Sequence, residues 1–109
     1  KKVLLGDGEI PEGRVRIVNW AFMEPDKAFR PHCHEDMAEV FVMVSGRVRI
    51  EIDGEAADMG QGDAVLVPAG AVHTLRNTGG RPAEYVVVGL SREEGGRTVV
   101  VNAGADPPA

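Results

Sequence analysis

A single cysteine, Cys33, stands among the 109 residues, so no disulfide can close within the chain, and a reducing cytoplasm is the expected setting. No apolar run approaches the roughly 18 residues that a membrane helix needs, and no signal-peptide pattern opens the chain. Positive charge is in deficit: 12 Lys and Arg against 17 Asp and Glu leave a net charge of −5, which argues against a nucleic-acid partner. Arg14, Arg16, Arg47 and Arg49 alternate with apolar neighbours and read as solvated strand faces, not as a basic patch. No segment holds helical periodicity over three turns, and neither a repeat nor a linker divides the chain. The first residue is Lys1, without a methionine, so a trimmed start is expected. Histidine is scarce too. There are three, and all of them fall, with one glutamate, into a single pattern.

The length indicates one domain, expected over residues 1–101 with a flexible tail at 102–109. A chain of this size buries roughly 65% of its unfolded surface, and 43% hydrophobic with 27% charged residues is ordinary for a globular protein. Strand periodicity runs almost throughout. Strands are expected at Arg14–Met23, Arg30–His34, Ala38–Val44, Val48–Ile52, Glu55–Met59, Ala64–Val67, Val72–Asn77, Ala83–Leu90 and Thr98–Val101. Asp53-Gly54 marks a tight hairpin. Pro68-Ala69-Gly70, the run from Thr78 to Pro82, and Glu93 to Gly96 break the pattern elsewhere. About nine short strands with regular turns predict an all-β sandwich or small barrel whose interior can hold a metal and a small ligand.

Several strands are apolar on both faces. Phe41 and Met43 share the face of Glu39, while Val40, Val42 and Val44 take the other. Val18, Trp20 and Phe22 likewise oppose Val15 and Ile17. A barrel standing alone exposes one face to water, so the second apolar face needs cover. The chain's own terminal strands are one source of cover. A homodimer through Trp20, Phe22 and the valine face is the expectation favoured here.

His32 and His34, one residue apart on a strand, point to the same side. Glu39 on the next strand and His73 from a later hairpin complete a set of three nitrogens and one oxygen. Four ionisable side chains converging in an apolar barrel are costly without a cation. The set suits one divalent first-row ion per chain (Fe, Mn, Ni, Co, Cu or Zn), and six-coordination leaves two positions open. A closed structural zinc site is disfavoured because no cysteine joins the set.

The spacing of these residues resembles the cupin superfamily, in its small single-domain form. Its first motif, G-x5-H-x-H-x(3,4)-E-x6-G, is met by His32, His34, Glu39 and Gly46, with Asp26 where the leading glycine would stand. Its second, G-x5-P-x-G-x2-H-x3-N, is met at Gly62, Pro68, Gly70, His73 and Asn77. The resemblance implies a jelly-roll β-barrel with the metal held by His32, His34, Glu39 and His73. It also implies a range of chemistries: oxygenases that cleave diketones or flavonols, isomerases, decarboxylases and lyases. Because one fold hosts many reactions, the motifs specify fold more than reaction.

The functional expectation is a small-molecule metalloenzyme with dioxygenase-type or lyase-type chemistry on a small polar acid or carbonyl compound. The alternative is a non-catalytic sugar-binding or sensor barrel. Beyond the ligands, Tyr85 is a candidate acid–base hydroxyl, and Arg30 a candidate clamp for a substrate carboxylate or, more simply, a rim residue. Phe29, Met37, Phe41 and Met43 are expected as core that also walls the pocket. Asn77 is expected to bond turn backbone, and Cys33, between two ligand positions, to be a buried small hydrophobe.

Overall fold

The structure is a computed structural model, which describes residues 2–5, 15–91 and 98–100. Period-two alternation becomes strand wherever one face can be buried. The strands are β1 (Lys2–Leu5), β2 (Val15–Met23), β3 (His32–His34), β4 (Met37–Ser45), β5 (Val48–Ile52), β6 (Glu55–Met59), β7 (Ala64–Val67), β8 (His73–Asn77), β9 (Ala83–Ser91) and β10 (Thr98–Val100). Among the described residues these form two five-stranded sheets, ordered β1-β2-β9-β4-β7 and β10-β3-β8-β5-β6, with every pairing antiparallel. No helix of the described residues is long and apolar enough to cross a membrane.

Ten strands stand where nine were expected. Among the described residues the addition is β1, whose Val3-Leu4-Leu5 run is apolar without alternation. Strand β3 begins only after Pro31, whose ring removes a ladder donor. The expected tail 102–109, Arg14, Val101 and the breaker Glu93–Gly96 lie outside the described residues.

The sheets pack face to face over a core of Phe29, Phe41, Ile50, Leu75, Tyr85 and their neighbours. Each large apolar side chain so buried contributes roughly 1.5–3 kcal/mol. The alternation is strict where it matters. In β4 the residues Met37, Glu39, Phe41 and Met43 are buried while Ala38, Val40 and Val42 are half-buried on the other side.

Turn chemistry fixes the register. Asp53 and Gly54 both take positive φ, 48° and 84°, the backbone of the tight hairpin that joins β5 to β6. Asp53 also clasps Val72: its N–H donates to the Val72 carbonyl at 2.8 Å, and its Oδ1 accepts from the Val72 N–H at 2.9 Å. Gly46 (φ +86°) ends β4 where a Cβ would stand 2.8 Å from the Ala83 Cα, so a side chain is excluded twice over. Asp26, where the cupin pattern has glycine, takes φ 62°, a left-handed conformation that aspartate tolerates better than most residues.

Candidate metal centre

The site bridges the sheets. His32 and His34 come from β3 and His73 from β8, all in the second sheet; Glu39 comes from β4 in the first. His32 and His73 are direct register partners. After His34 the chain turns at Glu35-Asp36 and enters the opposite sheet at Met37. Glu39, two residues along, shares Met37's inward face. The H-x-H-x4-E spacing is therefore a strand end, a two-residue corner and the first inward turn of the next strand. The second motif is tied to the first by the Gly70 N–H, which donates to the His34 carbonyl at 2.7 Å.

All four side chains are buried, and their ligand atoms lie within 4.8 Å of one another. Ligand atoms about 2.0–2.2 Å from a shared ion stand up to about 4.4 Å apart, so the cluster closes on an ion with small shifts. His32 Nδ1 donates to the Arg30 carbonyl at 2.9 Å, and His73 Nδ1 to the Ala71 carbonyl at 3.2 Å. A carbonyl only accepts, so the hydrogen is on Nδ1 in both rings, and the neutral form carries a lone pair on Nε2. Those carbonyls orient the imidazoles as metal-bound histidines are oriented.

The electrostatics agree. Burial lowers the His32 imidazole to about 4, against the opposing pull of the Arg30 carbonyl, so at neutral pH the ring is uncharged and able to ligate. Burial alone would push the Glu39 carboxyl up, but the adjacent His34 and His73 rings, when they carry a proton toward it, outweigh burial and hold the carboxyl at about 2. Glu39 Oε1 stands 3.0 Å from both His34 Nε2 and His73 Nε2. Glu39 Oε1 and His73 Nε2 are nonetheless buried without an aligned hydrogen bond. With His73 neutral, a lone pair and a carboxylate oxygen face each other at that distance, and a cation between them removes the conflict. The residues fit a divalent metal by donor set, span and tautomer.

Two aromatic rings wall the cluster. Phe29 stands edge-on to His32 at 4.8 Å and to His73 at 5.9 Å, and Phe41 lies 5.8 Å from His73. Met37 fills the space over Gly89, the register partner of Glu39: its sulfur lies 2.7 Å from where a Cβ there would stand. Met43 is buried as core beside Tyr85, its register partner. Tyr85 is buried, and burial together with the Glu39 charge pushes its hydroxyl up to about 12. It therefore stays protonated at neutral pH, suited to donating a hydrogen bond and not to acting as a base.

Other expectations fare variously. Asn77 is fully buried and bonds turn backbone as expected: Nδ2 donates to the Met23 and Arg81 carbonyls at 2.8 Å each, and Oδ1 accepts from the Gly79 N–H. Cys33 is half-buried on the outward side of β3, not fully buried, because alternation that turns its neighbours inward turns it out. Arg30 is half-buried, and its carbonyl accepts from His32 Nδ1. Sequence reasoning overlooked that carbonyl and that of Ala71, since backbone acceptors leave no trace in residue type. A groove of about 480 Å³ lies on the outer side of the second sheet, lined by Arg49, Glu51, Thr74 and Arg76. It reaches the cluster only through the shared wall of Phe29.

Comparison with known proteins agrees with this architecture. The Cupin domain family matches residues 19–89, and the chain belongs to that family. A curated relative, the mannose-1-phosphate guanylyltransferase ManC of Salmonella typhimurium, is 32% identical over 66 residues. That stretch is 61% of this chain and only 14% of the relative's length. A conserved protein with a double-stranded β-helix domain from Klebsiella pneumoniae superposes with a TM-score of 0.76 at 19% identity, over 93% of this chain and 82% of its own. A predicted oxalate decarboxylase from Thermotoga maritima gives 0.69 at 22% identity, over 72% of this chain and 68% of its own. These structural likenesses establish the double-stranded β-helix fold.

Proposed function

We propose that this cupin is a metal-dependent enzyme acting on a small polar acid or carbonyl compound, by chemistry of the dioxygenase or lyase type. The observation that carries this is the buried convergence of His32, His34, Glu39 and His73, whose ligand atoms lie within 4.8 Å of one another. A bound divalent ion would supply Lewis-acid or redox chemistry there. The chain's own contribution would be to hold the ion with four donors and to shield it from water with Phe29 and Phe41. Tyr85 supplies a protonated hydroxyl on the Glu39 side of the interior. The likeness to a predicted oxalate decarboxylase supports a small acid as the substrate class.

The test is elemental analysis of untagged protein purified without added metal, followed by a screen of small oxo- and hydroxy-acids with and without O₂. About one Fe, Mn, Ni, Co or Cu per chain and metal-dependent turnover are expected. Stoichiometric metal with ligand binding but no turnover in either atmosphere would favour a sensor barrel. No metal after reconstitution would remove the basis of the reading.

For the assembly we propose a homodimer through the outer face of the first sheet. Phe22, Val44 and Leu66 are exposed there at 57, 41 and 56%. Val18, Trp20, Val40, Val42, Val86 and Val88 lie half-buried between them. A second copy offers the same valine-rich surface, which an isologous two-fold interface would pair with itself.

A further inference from the structure

Two arginines on the outer side of the second sheet have no part in the metal centre. Arg49 on β5 and Arg76 on β8 are register partners, and both point outward. Their Cβ atoms are held about 5 Å apart, and like charges directly opposite each other destabilise a sheet. Charge on an edge strand guards against stray pairing, but β5 and β8 lie inside the sheet, each with a neighbour on both sides. Nor are the two charges absorbed. Arg49 meets Asp58 at 3.8 Å, with the side chains 50 and 64% exposed, a pair that holds little against water and salt. Among the described residues Arg76 has no carboxylate partner; its Nη1 donates to the Asp26 carbonyl at 3.3 Å, which fixes the guanidinium without neutralising it.

The next outward row reverses the polarity. Glu51 and Thr74 are register partners, about 7 Å from the arginines by strand rise. The Thr74 hydroxyl donates to the Phe29 carbonyl, so what it has left to offer is lone pairs, and the Glu51 carboxylate is an acceptor too. Both rows line one groove of about 480 Å³, a size usual for small-molecule sites, and Ala28, Phe29 and Pro31 give it an apolar wall. Donors in one row, acceptors in the next and a wall for carbon give the groove a direction.

We infer that this groove is a second ligand site, separate from the metal centre, for a small phosphate monoester that carries a hydroxyl or ammonium group at its other end. Arg49 and Arg76 take the phosphate: two guanidinium forks match a dianion in charge and in geometry, where a single carboxylate leaves one positive charge over. Glu51 and Thr74 accept from the hydroxyl or ammonium. Glu51 also turns away a ligand with an anion at both ends. The carbon chain between lies against Ala28 and Pro31. Phe29 stands between the groove and the rings of His32 and His73, so the site neither needs nor shares the four metal donors.

The experiment is a titration of the isotope-labelled full chain, followed by its amide resonances, with glycerol phosphate, phosphoethanolamine, n-propyl phosphate and inorganic phosphate. EDTA is present, so that phosphate on a metal is not read as groove binding. The amides of Arg49, Glu51, Thr74 and Arg76 are expected to shift together while those of Glu39 and Tyr85 stay in place. Glycerol phosphate and phosphoethanolamine should bind at least about tenfold tighter than the other two, one charge-assisted hydrogen bond's worth. Arg49→Gln and Arg76→Gln should each weaken that binding at least about tenfold, and Arg49→Gln should melt no lower than wild type, because the like-charged pair is gone. Glu51→Ala should bring glycerol phosphate and n-propyl phosphate to a ratio near one. No shift at the groove amides overturns the inference, as does binding that both arginine variants keep. Inorganic phosphate bound as tightly as the esters means an adventitious ion only and overturns it too. So does n-propyl phosphate bound as tightly as glycerol phosphate by wild type, since Glu51 and Thr74 then select nothing.

Discussion

At the scale of single residues, what distinguishes the candidate centre is the direction of its hydrogens. Backbone carbonyls of Arg30 and Ala71 hold the Nδ1 hydrogens of His32 and His73, so both Nε2 atoms turn lone pairs inward. Glu39 lies at the junction of two of the rings. Glu39→Gln, which keeps shape and removes charge, should cut metal content to below about a tenth of wild type, as loss of a ligand exceeds the 10–100-fold cost of losing an outer-shell partner. His34→Ala should do the same while circular dichroism stays β-rich. The pH dependence has a definite sign. His32 titrates near 4 when folded and near 6.5 when unfolded, so the unfolded chain binds its proton first as pH falls. Stability is lost through that window, and Glu39 adds a further loss between its ordinary 4.5 and about 2. Metal-free protein should therefore melt at progressively lower temperature from pH 6.5 down to pH 4, with the decline continuing below that. A flat melting profile across pH 4–6.5 would contradict the depressed His32 value. The four ligands were legible in the sequence because alternation makes His-x-His a same-face pair. The carbonyls of Arg30 and Ala71 were not, since a backbone acceptor leaves no mark in residue type.

At the scale of elements, corners and turns do the positioning. The Glu35-Asp36 corner carries the chain from one sheet to the other, which brings Glu39 over His34 from the facing layer. The Asp53 clasp on Val72 and the Gly70 bond to His34 set where β8 presents His73. Gly46→Ala tests how tightly these ends are drawn. It combines a positive φ with a Cβ driven to 2.8 Å from Ala83 Cα, both backbone-level conflicts. A loss of about 1–3 kcal/mol is expected, read as a lower urea midpoint with the m-value unchanged. Most of this level was legible: Asp53-Gly54, Gly46 and the Pro68–Gly70 turn signal by residue type. Strand β1 was not, because Val3-Leu4-Leu5 is an apolar run without alternation. Asp26 departs from the glycine of the pattern yet adopts the same left-handed backbone, a conclusion that only φ supplies.

At the scale of the whole molecule, the two sheets have different outer faces. That of β5 and β8 carries Arg49, Glu51 and Arg76 and is content in water. That of β2, β9, β4 and β7 is valine-rich, with Phe22 and Leu66 more than half exposed. Light scattering should give a mass near 23 kDa, twice the 11.6 kDa chain. Leu66→Glu, placing charge on that face, should return it to a single chain while leaving metal content unchanged. A monomeric wild type would remove the dimer. What the sequence determined by itself was periodic and local: the β class, the two-faced strands, the turns, and which four residues are chemically able to hold a metal. Alternation and turn chemistry act over a few residues, so they can be read without a fold. The tertiary structure alone decided which backbone carbonyls orient the imidazoles, and that Asn19 is buried with its Oδ1 unmet. Those facts depend on packing between strands distant in the chain, and no local pattern encodes them.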